Sequence, residues 1–128
     1  MTSPASTTDV WRIGSTPLHS RFLLGTAGYP SPDVLRQAIE ASGSQVLTLG
    51  LKRTLAAPGG GDNGFVQIIR DTAQAHGAHL LPNTAGCRSA QEAITLAHMA
   101  RELLGTHWIK LEVVGDEQTL QPDPFELV

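Results

Sequence analysis

Val46-Leu47-Thr48-Leu49-Gly50-Leu51, followed by a glycine-rich stretch and then by Gly64-Phe65-Val66-Gln67-Ile68-Ile69 running on to His76-Gly77, decides the fold. The first six residues are a continuous apolar run of strand length, apolar enough to be covered on both faces. The second segment reads as a helix from about Gly64 to His76, closed by Gly77. The unit is therefore strand, loop, helix, and it recurs on either side. Upstream, Arg21 to Leu24 is a short strand. After it, Ser31 precedes Pro32 as an N-cap precedes a first-position proline, Val34, Leu35, Ala38 and Ile39 form a helical stripe, and Gly43 sits where a C-cap glycine belongs. Downstream, His79 to Leu81 is a third strand ending in Pro82-Asn83. Ser89-Ala90-Gln91-Glu92 has the capping-box pattern, and a long helix follows through Ala93, Ile94, Ala97, Ala100 and Leu104 to Gly105. Trp108 to Val114 reads as a fourth strand, and Asp123-Pro124-Phe125-Glu126 opens one more helix.

Four consecutive strand-helix units predict a parallel α/β sheet joined by right-handed crossovers. Two architectures share that unit: the open doubly wound sheet and the (β/α)8 TIM barrel, which needs about 250 residues. No GxGxxG follows the first strand, which lowers the dinucleotide-binding form of the open sheet. The 128 residues then amount to about half a barrel, four βα units spanning 10–128. A hairpin begins at Val10 to Ile13 and turns through Gly14, Ser15 and Pro17, as a lid on the barrel's N-terminal end. Residues 1–9 read as a loose polar tail, and the chain is expected to stop in the first turn of a helix.

Composition narrows the function. Nine Lys plus Arg against twelve Asp plus Glu leave a formal charge of -3, a poor match to a phosphate backbone, so nucleic acid is excluded as a main partner. Neither a membrane span nor a signal peptide is evident, and the lone Cys87 can make no internal disulfide or CxxC pair. A reducing, cytoplasmic setting fits. The five histidines lack ligand spacing to one another or to Cys87, so no metal and no cofactor is expected. Pro58-Gly59-Gly60-Gly61-Asp62-Asn63-Gly64 has the glycine content of a phosphate cradle without the Lys-Ser or Lys-Thr that completes one, and reads as a flexible loop.

Chemistry concentrates in Trp108-Ile109-Lys110-Leu111-Glu112-Val113-Val114. Lys110 and Glu112 interrupt an apolar strand at alternate positions, so they face one side about 7 Å apart along the strand. In a barrel that side is the interior near its C-terminal mouth. Two readings stand open here. One is a structural ion pair. The other is an imine-forming lysine with a carboxylate proton carrier. An amine attacks a carbonyl only when neutral, and at the free lysine pKa less than about 1% is neutral at pH 7, so burial has to lower it. A protonated imine acidifies the adjacent carbon, and Glu112 could move that proton. The ionised carboxylate opposes the lowering, so desolvation or other cations must outweigh it. Polar residues after the other strands lie on the same rim: Thr26, Lys52 and Arg53, Asn83 and Thr84. Of these Arg53 and Asn83 are candidate substrate contacts, while Thr26 and Thr84 read as loop caps. Cys87 reads as incidental.

Several stretches resemble bacterial thiazole synthase, the family that builds the thiazole phosphate ring of thiamine. They are Ser20-Arg21-Phe22-Leu23-Leu24-Gly25-Thr26, Tyr29-Pro30-Ser31, Glu40-Ala41-Ser42-Gly43-Ser44, Leu80-Leu81-Pro82-Asn83-Thr84-Ala85-Gly86, Trp108-Ile109-Lys110-Leu111-Glu112-Val113 and Leu120-Gln121-Pro122-Asp123-Pro124. The resemblance implies a (β/α)8 barrel acting on 1-deoxy-D-xylulose 5-phosphate, dehydroglycine (2-iminoacetate) and the C-terminal thiocarboxylate of a small sulfur carrier protein. It assigns Lys110 to the imine and Glu112 to acid/base steps. Where the family usually has Gly-Lys before Tyr-Pro, this chain has Ala27-Gly28. The family's catalytic aspartate and phosphate-binding loops belong to a second half barrel not found in these 128 residues. Three expectations follow: a thiazole synthase whose chemistry needs that half; a non-catalytic half-barrel binding or assembly module; or, against the LPNTAG match, another imine-forming aldolase-type enzyme. Unpaired strand edges predict a homo-oligomer, and the missing half predicts a fragment inactive by itself.

Overall fold

The structure is a computed structural model that describes residues 9–56 and 64–128. The hairpin, β1 (Trp11–Ile13) and β2 (Thr16–Leu18), pairs antiparallel around Gly14, whose φ of 58° is the left-handed turn conformation glycine adopts without strain. Gln45, just before the central strand, accepts from the His19 and Ser20 amides at 2.6 and 3.0 Å, which pins the hairpin's exit to the N-terminal end of the sheet. Asp9 lies against Arg21 at 2.8 Å; the rest of the expected tail, and the glycine-rich loop up to Asn63, lie outside the described residues.

The sheet is parallel, in the order β3 (Leu23–Gly25), β4 (Val46–Gly50), β5 (His79–Asn83), with α1 (Pro32–Ser42) between the first two strands and α3 (Phe65–Ala75) between the last two. A short α2 (Leu51–Ala56) precedes α3, and α4 (Ala90–Leu104) and α5 (Pro124–Leu127) follow β5. Local chemistry sets the helix ends. Ser31 accepts from the Val34 amide ahead of Pro32, Ser89 accepts from the Glu92 amide, and Gly43 and Gly105 close α1 and α4 at φ 61° and 63°.

Alternation along the strands sorts the two sheet faces. Leu24, Leu47, Leu49 and Leu80 share one buried cluster with Leu35 and Ile39 of α1, Val66 and Ile69 of α3, and Ala93, Leu96 and Ala100 of α4. On the other face Leu23, Gly25, Thr48, Gly50, Leu81 and Asn83 are exposed or half-buried, while Val46 at its N-terminal end is buried. Strands in sequential order with the core on one side agree with part of a barrel, since a doubly wound sheet reverses its order and carries helices on both faces.

Three expectations need correction. The second strand ends at Gly50 rather than Leu51, because Leu51 turns inward as the fully buried first residue of α2, and the Thr54 hydroxyl donates back to Gly50 O at 2.9 Å. The third strand runs on through Pro82 to Asn83. In extended backbone a residue's N–H and C=O point to the same lateral side, and the Pro82 carbonyl accepts from Lys110. The donor that proline lacks is therefore missing on the outer edge, and the ladder to β4 is complete without it.

The same proline explains the third correction: Trp108–Val114 is not a fourth ladder strand, and only a parallel bridge, Asn83 to Lys110, joins it to β5. On one side of that bridge Pro82 has no N–H to give, and the Thr106 hydroxyl occupies Leu80 O at 3.1 Å. On the other side β5 has already turned away, and the Thr84 side chain takes over the pairing. The four-unit half barrel thus resolves into a three-stranded parallel sheet with a fourth segment held at its edge by threonines.

Candidate active site at the sheet's C-terminal edge

Register places the site. Gly50 pairs with Asn83, and Asn83 bridges to Lys110, so the three lie in one row across the sheet. Cross-strand partners share a face, so Lys110 lies on the bare side, with Asn83, rather than toward the helices. Glu112, two residues on, shares that side, and Lys110 Nζ lies 3.4 Å from Glu112 Oε1. The absence of a side chain at Gly50 opens the row: a Cβ there would stand 3.5 Å from Asn83 Oδ1 and 3.9 Å from Arg53 Cβ. Arg53, on the first turn of α2, therefore rises beside the row, and Asn83 is held by accepting from the Ala85 amide at 3.2 Å. Lys110, Glu112, Asn83 and Arg53 are brought to one edge.

Lys52 is not among them. Its Nζ reaches Glu92 Oε1 at 2.6 Å and the Gly86 carbonyl at 3.0 Å, at the start of α4. Lys52 and the Arg88 amide, which donates to Glu92 Oε2 at 3.0 Å, hold the Glu92 carboxyl below its usual range. The glutamate of the capping-box pattern thus reaches back to Arg88 and Lys52 rather than to the cap residue's own amide. Thr26, expected as a loop cap, instead ties across to β4, donating to Thr48 O at 2.9 Å. Cys87 is fully buried, and burial, reinforced by Glu92 and opposed by Lys52, pushes its thiol up, the opposite of an activated nucleophile. Among the described residues no three His, Cys, Asp or Glu side chains gather as a metal site.

Sequence reasoning took Thr84 for a loop cap, and the structure gives it more to do. The residue is fully buried; its amide donates to Lys110 O at 3.2 Å, while its hydroxyl accepts from Glu112 N and donates to Glu112 O, both at 2.7 Å. A threonine after a strand-ending Asn is too common a turn pattern to have signalled this. Two surface concavities, of about 540 and 400 Å³, lie along α4 around Thr95 and Met99, and neither includes Lys110 or Glu112.

The ion pair itself has little structural value. The Lys110 and Glu112 side chains are 59% and 35% exposed, and pairs so hydrated contribute about 0–1 kcal/mol. An amine and a carboxylate in contact at the C-terminal end of parallel strands can, however, add to a carbonyl and relay a proton. Residues 12–128 match the family described as thiazole biosynthesis protein ThiG. The chain belongs to that family. Relatives named thiazole synthase include one from Coxiella burnetii (strain RSA 493 / Nine Mile phase I), 51% identical over 119 residues that make up 93% of this chain and 44% of that protein. Another, from Erwinia tasmaniensis, is 56% identical over 109 residues, 85% of this chain and 40% of that protein. The chain spans less than half the length of these ThiG-family relatives. Among the described residues no helix is long and apolar enough to cross a membrane.

Proposed function

We propose that residues 10–128 supply the N-terminal half of a (β/α)8 barrel that makes thiazole phosphate for thiamine in the cytoplasm, as a homo-oligomer. Its substrates are 1-deoxy-D-xylulose 5-phosphate, dehydroglycine and the thiocarboxylate of a small sulfur carrier protein. The carrying observation is the Lys110–Glu112 contact in a row with Asn83, on the sheet face that the helices leave bare. Neutral Lys110 adds to the ketose carbonyl, and with one proton taken up from solvent water leaves, giving an iminium ion. Glu112 takes the proton from the adjacent carbon, leaving an enamine, and returns it at another position as the ketose tautomerises. Asn83 and Arg53 line the substrate side, with the Arg53 guanidinium available to an anionic group. In this chain Lys110 stands hydrated on an open sheet, so the adduct calls for the rest of the barrel to cover it.

The test is borohydride reduction with 1-deoxy-D-xylulose 5-phosphate and peptide mass mapping, on this chain alone and on this chain joined to the remaining length its relatives carry. The joined protein should carry the label on Lys110 and lose it in Lys110→Arg. Glu112→Gln should keep the label while turnover falls by about 10² to 10⁴. The chain alone should label weakly. A label on Lys52 overturns the assignment, and equal labelling of both proteins overturns the need for the second half.

A further inference from the structure

We infer that Thr84 is the positioning residue of the Lys110–Glu112 pair, a role that deepens the proposed function and rests on it only for its catalytic meaning. The backbone N–H and C=O of Glu112 both point toward β5, where a ladder strand would offer a C=O and an N–H. β5 has ended, and the Thr84 carbonyl is already taken by the Cys87 amide at 3.1 Å. One hydroxyl substitutes for both missing groups, accepting from Glu112 N and donating to Glu112 O at 2.7 Å each. A hydroxyl has the one donor and the lone pairs that this needs. Fixing both groups of one residue fixes the direction of its Cα–Cβ bond, so the Glu112 carboxylate is aimed through Thr84. The Thr84 amide meanwhile holds Lys110 O at 3.2 Å, and the next turn holds the far side, where the Cys87 carbonyl accepts from Val114 N at 2.7 Å. Thr84 thus holds Glu112 through its buried hydroxyl and Lys110 through its backbone amide, so the hydroxyl is what aims the carboxylate at the amine.

The experiment reads the alignment without any catalysis. A water-soluble carbodiimide joins an amine to a carboxylate in contact, the carbodiimide taking up the water lost as the amide forms. In the folded 128-residue chain both Lys110–Glu112 and Lys52–Glu92 meet that condition, at 3.4 and 2.6 Å, and the second is an internal standard. Relative to it, the Lys110–Glu112 cross-link should fall at least about threefold in Thr84→Val, which keeps the shape and removes the hydroxyl, and should be retained in Thr84→Ser. The Glu112 amide should exchange about tenfold faster in Thr84→Val than in Thr84→Ser. An unchanged cross-link ratio in Thr84→Val, or an equal loss in Thr84→Ser, overturns the inference. If Thr84→Val does not fold, a Glu112 amide that exchanges in the unmodified chain at the rate of an exposed loop overturns it, and one protected like the β4–β5 ladder supports it. Should the cross-link behave as expected while no ketose adduct forms on Lys110 in the joined protein, the imine chemistry fails and the positioning stands.

Discussion

Gly115→Ala probes the turn that carries the chain from the Lys110–Glu112 segment into α5. A Cβ on Gly115 would lie 3.2 Å from the Asp123 nitrogen, 3.2 Å from Pro122 O and 3.3 Å from the Asp123 Cα. All three are backbone atoms, so no side chain can swing aside. The two arms are also tied across the contact, Gly115 N donating to Gln121 O at 2.7 Å and Asp123 N to Val113 O at 2.9 Å. The methyl therefore forces the arms apart and lengthens both bonds. Overpacking of this kind costs about 1–3 kcal/mol, and each kcal/mol lowers the melting temperature of a chain this size by about 3–5 °C. The damage should spread to α5, because Asp123 caps it by accepting from Phe125 N and Glu126 N at 3.0 and 3.1 Å. Gly50→Ala is the control: its new Cβ makes ordinary contacts at 3.5 and 3.9 Å, and the change should leave the melting temperature level or slightly raised. Thermal denaturation and amide exchange at Gly115 and Asp123 measure the pair. If Gly115→Ala melts with the parent chain and both amides stay as protected as before, the turn is not the tight fixture described.

Two further outcomes follow from the shifted groups. Glu92 and Asp116 both titrate lower when folded, Glu92 through Lys52 and the Arg88 amide, Asp116 through the Thr119 and Gln118 amides. Their contribution is therefore present above the unfolded carboxyl values of 4.5 and 3.8 and is lost as pH falls through the lower folded ones. Acid titration of helix content should show Glu92→Gln removing part of the acid transition and Asp116→Asn another part; a transition unchanged in both would contradict the assignment. Cys87, buried and raised, should react with a neutral thiol reagent at pH 8 far more slowly than free cysteine and speed up as urea opens the fold, so a rate equal to free cysteine would place the thiol at the surface.

What the sequence made legible was local. Ser31, Gly43, Ser89 and Gly105 mark helix ends because each satisfies backbone groups within four residues of itself, and all four stand where they were expected. The alternate placement of Lys110 and Glu112 was equally readable, since strand parity is a property of the segment alone. What escaped depended on partners remote in sequence. Lys52 looked like a rim lysine until Glu92, forty residues away, claimed it. The end of β4 was misplaced by one residue because Leu51 continues the apolar run while changing its direction. The fourth strand failed for a reason no window around Trp108 contains, the side of the sheet on which Pro82 lacks its donor.

The threonine-held edge also bears on how the pair is used. Lys110 and Glu112 stand on the face where a sheet of this kind continues its packing, and stability would be better served there by an apolar pair. Were that face covered by further strands, the exposed amine would be desolvated, the condition under which a lysine sheds its proton near neutral pH, while the adjacent carboxylate would oppose the loss, so desolvation or further cations must outweigh it. A regular ladder would hold the segment by backbone bonds on every second residue. Two threonine hydroxyls instead anchor Leu80 O and the Glu112 backbone to single side chains. At Trp108 and Glu112 the edge exchanges backbone partners for threonine hydroxyls, while Lys110 between them keeps its backbone partners, the Pro82 carbonyl and the Thr84 amide.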